Sequence, residues 1–555
     1  MWRSIAKALL TAVLAALLLG GQTTQLQTAR TLLTGNPKNP DQARRILLEL
    51  VQRAVGGLTG DDLAYACVYL GYIEDRAGDR QRAEEWFRKA AAVEGAGPGI
   101  LSVARQGMEH PVTWIRHLDA PSVSPRPQPA APETPRPLKA YVTKDPPAAM
   151  ALARNLSDRE RRANFEDLWR AIDTTYACFK LKGIDWREVG AVYRARLDAV
   201  KTDDGFYDLL FQLVNELRDT HSWLQNYHPR AWPEVPGLTL DRFEQRPFVV
   251  AVGRGSAAAA AGVALGSEVL SVDGWTVARK MEELRPRLKA LSSDRAWQRE
   301  AVRHLLAAET PAPVRLELRS PDGATREVTL PRGPASGPRA LAWPPIQLTR
   351  QRFVHFGVHA SGFGYILIES FNGREEIASE FDRALEFLRD TPALLLDIRN
   401  NAGGYGQPRI VGRLLSKRSP VGVSYIKSGP GHSSMERHKN NMEPSGPWQY
   451  TRPVALLVND VTGSAADLFA CELRSAGRVL TVGSTTHGNL SGVAAYVVLP
   501  CGLIVRVSNG YLADAHDRPI EGNGNIPDIA VEPTIADFLA GRDPVIERAV
   551  AALRK

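Results

Sequence analysis

The spacing of hydrophobic residues changes along the chain and divides it into helical and strand-rich parts. Apolar residues recur every three or four positions over residues 24–118 and again from Leu156 to Leu224, as in amphipathic helices. Short β-rich runs follow between residues 248 and 330, and from Gly364 onward continuous apolar runs alternate with amphipathic ones. The pattern predicts helical regions, then a β domain, then an α/β domain.

The N-terminal helical domain, residues 24–118, is predicted to contain a helical pair over Leu63–Ala91 with a turn at Ala77-Gly78-Asp79. Positions with the spacing of a tetratricopeptide repeat are Cys67, Leu70, Gly71, Ala83, Phe87 and Ala90. One repeat cannot bury its own face, so Asn39–Val55 is expected to supply a neighbouring helix. Glu74 replaces an expected aromatic residue and the closing proline is missing, so a plain helical bundle remains the alternative.

Two segments are predicted to lie outside the folded domains. Residues 119–148 include the run PSVSPRPQPAAPETPRP and are expected to form an extended spacer. At the N-terminus, Arg3 and Lys7 precede the apolar run Ala8–Leu19, which fits a secretory signal within residues 1–21. The protein is therefore expected to be exported, to the periplasm or the extracellular space. It would be attached to the inner membrane only if this segment is retained as an anchor.

The α/β domain is expected over residues 341–536, followed by a C-terminal helix over 537–555. Its predicted strands are Tyr365–Ile368, Ala393–Ile398, Val454–Val458 and Val479–Val482, and its predicted helices are Ile377–Leu388 and Ala465–Ala476. Continuous apolar strands between helices are typical of a parallel sheet that is covered on both faces.

Charge and cysteine content limit the classes of partner. The net charge of +8 comes from 69 basic and 61 acidic residues without a basic tract or nucleic-acid motif, so no nucleic-acid partner is expected. The cysteines, Cys67, Cys178, Cys471 and Cys501, lie far apart without metal-ligand spacing. Buried free thiols are the expectation, with a single bridge as the alternative, and neither a metal nor a cofactor is implied.

Two turns could supply an oxyanion site. Ser464 lies in VNDVTGSAADLFACEL, between a buried strand and a helix, so the Ala465 amide would point out of a helix N-terminus. In LDIRNNAGGYG, residues 396–406, the glycine pair allows a sharp turn, and the Gly404 amide could be a second donor. Each has a plain alternative, because Ser464 could be a helix N-cap and the glycines an ordinary turn.

A histidine in a third segment could activate the serine. His221 lies in LRDTHSWL among small polar residues, and histidine is the usual base for a serine nucleophile. A surface histidine without a catalytic role is the alternative. Taken together with the other two segments, however, it completes the elements of a serine hydrolase.

These segments resemble, in order and wording, the carboxyl-terminal-processing (tail-specific) and tricorn-like serine peptidases of family S41, over residues 150–535. The matching motifs are D-x-H-[ST], D-[IL]-R-x-N-x-G-G, T-x-S-A and the ending RPIEGNGNIPDIAVEP. The resemblance implies a crotonase/ClpP-like α/β catalytic domain with a helical segment at residues 149–236 and an inserted PDZ-like domain at 237–340. The PDZ helix is expected at Met281–Leu291, kinked or shortened by Pro286.

The resemblance also implies a catalytic set. Members with a serine–lysine pair carry a lysine where TTHGNLSG has Asn489, and an asparagine amide is not a useful base. The tricorn-like set of histidine, serine and glutamate corresponds to His221, Ser464 and Glu521, with Glu521 acting through the Thr220 hydroxyl. His487 remains an alternative base or pocket residue, and Asn489 is expected to line the pocket.

The expected function is a serine endopeptidase that cleaves peptides or proteins through an acyl-enzyme. In the resemblance, the PDZ-like domain would tether or gate the substrate, and the tetratricopeptide-like region would recruit a protein partner. The alternative is a non-catalytic scaffold that binds peptides or other ligands on the same fold. A lipid-directed esterase is a third possibility, which the PDZ-like insertion disfavours.

Overall fold

The computed structural model describes residues 29, 40–52, 60–96, 98–109, 136–230, 232–333, 346–492 and 494–554. The chain divides into two compact units, residues 1–132 and 133–555. The predicted signal segment and residues 119–135 of the predicted spacer lie outside the described residues. Within the described ranges, none of the helices combines the length and apolar character that a membrane crossing requires.

The first unit is helical over its described residues. Its helices are α1 Pro40–Gln52, α2 Gly60–Ala77, α3 Arg80–Ala91 and α4 Pro98–Glu109. The Phe87 ring is fully buried against Gly71 and Gly107, where an added Cβ would lie under 3.0 Å from ring atoms. Glu74, which departs from the repeat pattern, is buried and binds Arg44 of α1 at 2.7 Å. The helical pair with a neighbouring helix is thus observed, while its assignment as a tetratricopeptide repeat stays a prediction.

The second unit begins with helices that pack on strands from its far end. Its first elements are β1 Tyr141–Thr143, α5 Asp158–Thr175, α6 Phe179–Lys182, α7 Trp186–Leu197, α8 Asp203–Asn215 and β2 Trp223–Leu224. Helix α5 starts with a capping box between Ser157 and Glu160. The buried residues of α5 and α8 share one core cluster with Val497 and Val505. This helical segment therefore folds as part of the later domain.

The middle of this unit is a small β domain. Its elements are β3 Leu238–Phe243, β4 Arg246–Val252, α9 Ala257–Ala260, β5 Glu268–Val272, β6 Trp275–Thr276, α10 Val277–Leu284, α11 Asp294–Arg303, β7 Val314–Arg319 and β8 Thr325–Leu330. The sheet order is β3-β4-β5-β7-β8, with β6 paired to β5. The helix expected at Met281–Leu291 instead ends at Leu284, before Pro286, which cannot continue a helix hydrogen-bond ladder. Helix α11 was not predicted.

The remaining elements build the α/β part of the second unit. They are β9 Val354–Val358, β10 Gly364–Ile368, α12 Glu375–Phe387, β11 Leu394–Asp397, α13 Pro408–Leu414, β12 Ser419–Lys427, β13 Met435–Met442, β14 Val454–Val458, α14 Ala465–Ser475, β15 Leu480–Gly483, β16 Ala494–Val498, β17 Ile504–Ser508, β18 Gly510–Ala513, β19 Ile529–Ala530, α15 Ile535–Ala540 and α16 Pro544–Leu553. Where one C-terminal helix was expected, there are two, because Gly541 takes a left-handed conformation between them.

The central sheet has the order β19-β15-β14-β11-β10-β9 among the described strands. Its strands run parallel except β9, which pairs with β10 in the antiparallel sense. One face packs on α12 and α14, and the other packs on α16. The predicted parallel sheet covered on both faces is therefore observed, with an added antiparallel edge strand.

Two further sheets were not anticipated from the sequence. Strands β13, β12 and β18 form one, and the other has the order β1-β16-β17-β2. In the second, Leu224 pairs with Val505 directly after the segment that contains His221. This pairing fixes the end of the N-terminal helical segment on a strand that lies far away in sequence.

Candidate active site

Ser464 occupies a strained turn between β14 and α14. Its backbone has φ 54° and ψ −119°, a conformation that is unfavourable for a residue with a side chain. Its side chain makes no capping hydrogen bond, so the N-cap alternative is not realised. The backbone amide donates instead to Asn489 Oδ1. The turn therefore leaves the Ser464 hydroxyl free of a helix-capping role.

The structure brings His221 to Ser464. Nε2 of His221 lies 3.0 Å from Oγ of Ser464, although the residues are 243 positions apart. The backbone of His221 is held from both sides, since its amide donates to Asp219 Oδ1 at 2.8 Å and its carbonyl accepts from Arg506. Desolvation lowers the pKa of His221 to about 4, against the opposing charge of Asp219. The ring is thus neutral at neutral pH and able to accept a proton.

The other ring nitrogen of His221 faces a serine that sequence reasoning missed. Ser491 Oγ lies 3.4 Å from His221 Nδ1 and donates to Asp219 Oδ1 at 2.8 Å. The Ser491 amide donates to Glu521 Oε2 at 2.8 Å. Asp219 stands in the D-x-H-[ST] motif itself, so its position was visible in the sequence, whereas the approach of Ser491 depends on the tertiary fold.

Glu521 is buried but does not contact His221 directly. Its Oε1 lies 2.5 Å from Lys182 Nζ, and its side chain is fully enclosed. Burial raises the pKa of the Glu521 carboxyl to about 7, although the nearby Lys182 ammonium lowers it. Glu521 accepts a hydrogen bond from the amide of Ser491, whose hydroxyl lies beside the His221 ring.

Thr220 does not lie between Glu521 and His221, contrary to the expectation. Its amide donates to Ser292 Oγ at 3.0 Å, and its hydroxyl accepts from the Ser292 amide at 2.9 Å. The same hydroxyl lies 3.4 Å from His487 Nε2. This reciprocal pair with Ser292 engages the Thr220 hydroxyl, and no direct hydrogen bond joins that hydroxyl to Glu521 or to the His221 ring among the described residues.

His487 and Asn489 both lie near the strained turn, in different roles. The His487 amide donates to the Thr462 carbonyl at 2.8 Å, and no hydrogen bond joins its ring to Ser464 among the described residues. Burial, assisted by the charge of Arg295, lowers the pKa of His487 to about 4. Asn489 holds the Ser464 amide through its side-chain oxygen. Asn489 thus contacts the backbone of the serine rather than its hydroxyl.

Asp467 ties the segment of Asn489 to helix α14. Its buried carboxylate accepts from the amides of Gly488 and Asn489 at 2.9 and 3.0 Å and from the Thr486 hydroxyl. Burial raises the pKa of Asp467 to about 6 against these hydrogen bonds. The serine turn and residues 486–489 therefore form one rigid cluster.

The glycine pair lies against the N-terminus of α14. A Cβ on Gly403 would sit 2.8 Å from the Ala465 nitrogen, and one on Gly404 would sit 2.2 Å from the Phe371 carbonyl carbon. The Phe371 amide donates to the Gly403 carbonyl, and the Phe371 carbonyl accepts from the Tyr405 amide. The Gly404 amide, which lies between them in sequence, takes no part in these two hydrogen bonds. The Ala465 amide, at the first helical position, has no acceptor within the helix. The glycine turn therefore packs directly against Ser464 and the first residue of α14.

Helix α11 of the β domain reaches into this cluster, which the sequence did not predict. Arg295 donates to the carbonyls of Thr486 and Asn523 at 2.7 and 2.8 Å. Arg299 bridges Asp460, four residues before Ser464, and Asp241 of β3. The β domain is thereby fastened to the segments that carry the candidate site.

Known families match both parts of the second unit that form the site. The profile of peptidase family S41 matches residues 362–531, and that of the tricorn protease C1 domain matches residues 157–215. Tricorn protease homolog 1 of Streptomyces coelicolor is 25% identical over 422 residues, which cover 71% of this chain and 35% of that protein. The chloroplastic C-terminal processing peptidase of Tetradesmus obliquus is 26% identical, and the match covers 67% of this chain and 77% of the relative.

The fold is also that of a solved structure. The crystal structure of mature CPAF superimposes with a TM-score of 0.58 at 16% identity, covering 71% of this chain and 96% of that one. The matched region spans only 35% and 32% of the length of the two Streptomyces coelicolor tricorn homologs. Family profiles, relatives and fold agree on the same region. Residues 157–531 of the chain form a region related to the tricorn-like branch of peptidase family S41.

Proposed function

We propose that the protein is a serine endopeptidase in which Ser464 is the nucleophile and His221 is the base. The observation that carries the proposal is the 3.0 Å approach of His221 Nε2 to Ser464 Oγ. His221 takes the hydroxyl proton as Oγ attacks a peptide carbonyl, and returns it to the leaving amine. Water then hydrolyses the acyl-enzyme with His221 acting as base again.

The amides of Gly404 and Ala465 hold the oxyanion in this proposal. Support comes from their position, since Gly403 packs against Ser464 and the Ala465 amide lacks a helical acceptor. A donor of this kind typically contributes ~3–4 kcal/mol to transition-state stabilisation. Any side chain at Gly404 would collide with Phe371, so the close backbone approach requires glycine there.

The presence of Asn489, where serine–lysine members have their lysine, argues for a histidine as the catalytic base. Its side-chain oxygen accepts from the Ser464 amide, and an amide group cannot take the hydroxyl proton. His487 is engaged with Thr220 at 3.4 Å and serves as a wall of the site. We therefore assign the base to His221 and a structural role to both residues 487 and 489.

Glu521 is the third member of the proposed Ser-His-Glu set, although it acts through Ser491 rather than by direct contact with His221. Its support is the hydrogen bond from the Ser491 amide, because Ser491 Oγ lies beside the distal nitrogen of His221. Lys182 fixes the carboxylate from the other side. Thr220 is left out of the set, since its hydroxyl is engaged by Ser292.

The finer domain assignments belong to the same proposal. Residues 237–340 act as a PDZ-like module that receives an extended peptide at a sheet edge, and the order of β3 to β8 supports this. Residues 24–118 act as a tetratricopeptide-like module for a protein partner, supported by the packing of α2 and α3 around Phe87. Export to the periplasm or extracellular space rests on the signal-like residues 1–21.

A fluorophosphonate serine-hydrolase probe tests the central proposal on the full chain. The wild type is expected to be labelled and to hydrolyse an unfolded protein, and Ser464→Ala is expected to do neither. His221→Ala should abolish labelling, whereas His487→Ala should retain it. An unlabelled, inactive wild type would favour the non-catalytic scaffold instead, and dependence on His487 but not His221 would overturn the choice of base.

A further inference from the structure

Asp219 is a buried carboxylate that contacts both the backbone and the surroundings of His221. It is 1% exposed, and its Oδ1 accepts from the His221 amide and from the Ser491 hydroxyl, both at 2.8 Å. The Ser491 oxygen in turn lies 3.4 Å from His221 Nδ1. A chain of contacts therefore runs from the carboxylate through one hydroxyl to the imidazole.

The hydrogen-bond capacity of Ser491 fixes the direction of this chain. A serine hydroxyl has one proton and two lone pairs. The proton goes to Asp219 Oδ1, and one lone pair accepts from the Ser508 hydroxyl at 3.1 Å. The remaining lone pair faces His221 Nδ1 at 3.4 Å, which favours the tautomer that carries its proton on Nδ1. That tautomer leaves Nε2 unprotonated toward Ser464, as a base requires.

The charges around His221 make Asp219 the anion that offsets the imidazolium formed during attack. Arg506 and Lys289 oppose a positive charge on the ring, as does the neighbouring His487 when it is protonated. The second oxygen of Asp219 accepts no hydrogen bond from the described residues. Although burial raises the pKa of Asp219, the charges of Lys182 and His221 hold it below its usual value.

We propose that Asp219 is the positioning carboxylate for His221, acting through the Ser491 hydroxyl. The proposal rests on the function proposed above and assigns the orienting role to Asp219 rather than to Glu521. Glu521 faces the Ser491 amide and the Lys182 ammonium, and neither contact selects the tautomer of the ring. Its part is to hold the backbone that carries Ser491.

The test compares Asp219→Asn, Ser491→Ala, their double variant and Glu521→Gln in the full chain. Glu380→Gln is the control, because Glu380 is a buried carboxylate that binds the amides of Phe353 and Val354 away from the site. At neutral pH, Asp219→Asn should lower kcat by about 10²- to 10⁴-fold, with KM nearly unchanged. The acid limb of kcat/KM should move to lower pH, because a charge that favours the imidazolium is lost. The double variant should be no slower than about the slower single one, since both changes break one chain of contacts.

Several outcomes would overturn the proposal. The first is an Asp219→Asn protein whose kcat and whose acid limb of kcat/KM both equal those of the wild type. The second is an acid limb of kcat/KM that shifts in Glu521→Gln but not in Asp219→Asn. If Asp219→Asn does not fold, Ser491→Ala decides, because an unchanged kcat contradicts the path through its hydroxyl. If the fluorophosphonate probe does not label the wild-type protein, the proposed serine peptidase function itself is wrong. This result is distinct from one in which the wild type is labelled and only the role of Asp219 is contradicted.

Discussion

The side-chain oxygen of Asn489 accepts a hydrogen bond from the backbone amide of Ser464. In members of the related family that use a serine–lysine pair, the lysine base occupies this position. In this chain, Asn489 instead supports the backbone of the candidate nucleophile, Ser464. The support matters because Ser464 holds a φ of 54°, a conformation that costs of order 1–3 kcal/mol and persists only when its surroundings enforce it.

Replacing Asn489 by alanine is therefore expected to relax the turn and slow acylation. Loss of an acceptor for a buried amide costs about 1–3 kcal/mol, which corresponds to roughly 5- to 150-fold in kcat/KM. The rate of fluorophosphonate labelling measures it. Asn441→Ala, on the exposed face of β13, makes the same chemical change away from the site and should react at the wild-type rate. Equal rates for the two variants would contradict a supporting role.

The pH dependence of kcat/KM should reveal a catalytic base with an unusually low pKa. Because desolvation lowers the pKa of His221 to about 4, the ring stays neutral as pH falls from 7, and becomes protonated only near pH 4. We expect the limb set by His221 to lie near pH 4, with kcat/KM dropping about tenfold per unit below that pKa. Protonation of Glu521 near pH 7 and of Asp467 near pH 6 should add only shallower changes above it. Tryptophan fluorescence over the same range controls for acid unfolding. A limb near the ordinary histidine pKa of about 6.5 would contradict the enclosed environment.

The contacts of Arg295 predict that the β domain supports catalysis directly. Arg295→Gln loses the charged donors to the Thr486 and Asn523 carbonyls, and should lower kcat/KM by about 10- to 100-fold. Arg303→Gln is the matched control, since Arg303 lies on the same helix but pairs with Asp241 at 3.6 Å and Glu300 at 3.9 Å rather than with residues 486–523. Peptide hydrolysis by the two purified variants provides the comparison. Similar activities would mean that α11 merely packs beside the site.

A buried ion pair joins the C-terminal helix to the glycine turn. Arg399 contacts Asp397 at 2.6 Å and Asp543, at the N-terminus of α16, at 2.8 Å. Asp543→Asn keeps the helix cap but removes the charge, and should destabilise the fold by about 2–3 kcal/mol. Urea unfolding measures this. Asp390→Asn, whose side chain is 98% exposed, should stay within about 0.5 kcal/mol of the wild type, and an equal shift in both would count against the pair.

Hydrophobic periodicity was enough to identify the strands of the central sheet, whereas the pairing of His221 with Ser464 was implied by the resemblance to a known family. Strands such as Val454–Val458 are continuous apolar runs, and the turns that follow them carry recognisable residues. Boundaries moved by a residue or two, and Pro286 ended its helix early as its missing amide dictates. These features are local, so the pattern of neighbouring residues determines them.

What the sequence could not supply are contacts between distant segments. Thr220 was chosen as the relay because it adjoins His221, but Ser491 lies beside the ring instead, 270 residues later. Likewise Glu74, at a position where the predicted repeat would have an aromatic residue, binds Arg44 of another helix, and nothing near Glu74 in the sequence reveals that partner. Such pairings follow from how helices and sheets dock, which periodicity does not encode.

Because residues near the end of the chain hold His221 in place, the candidate site can form only late in protein synthesis. Its carbonyl is bound by Arg506, 285 residues later, and β2 can pair only when β17 exists. A growing chain acquires the histidine first, the serine much later, and the strand that aligns the histidine later still. In the proposed function, peptidase activity therefore arises only after nearly all of the second unit has been made and folded.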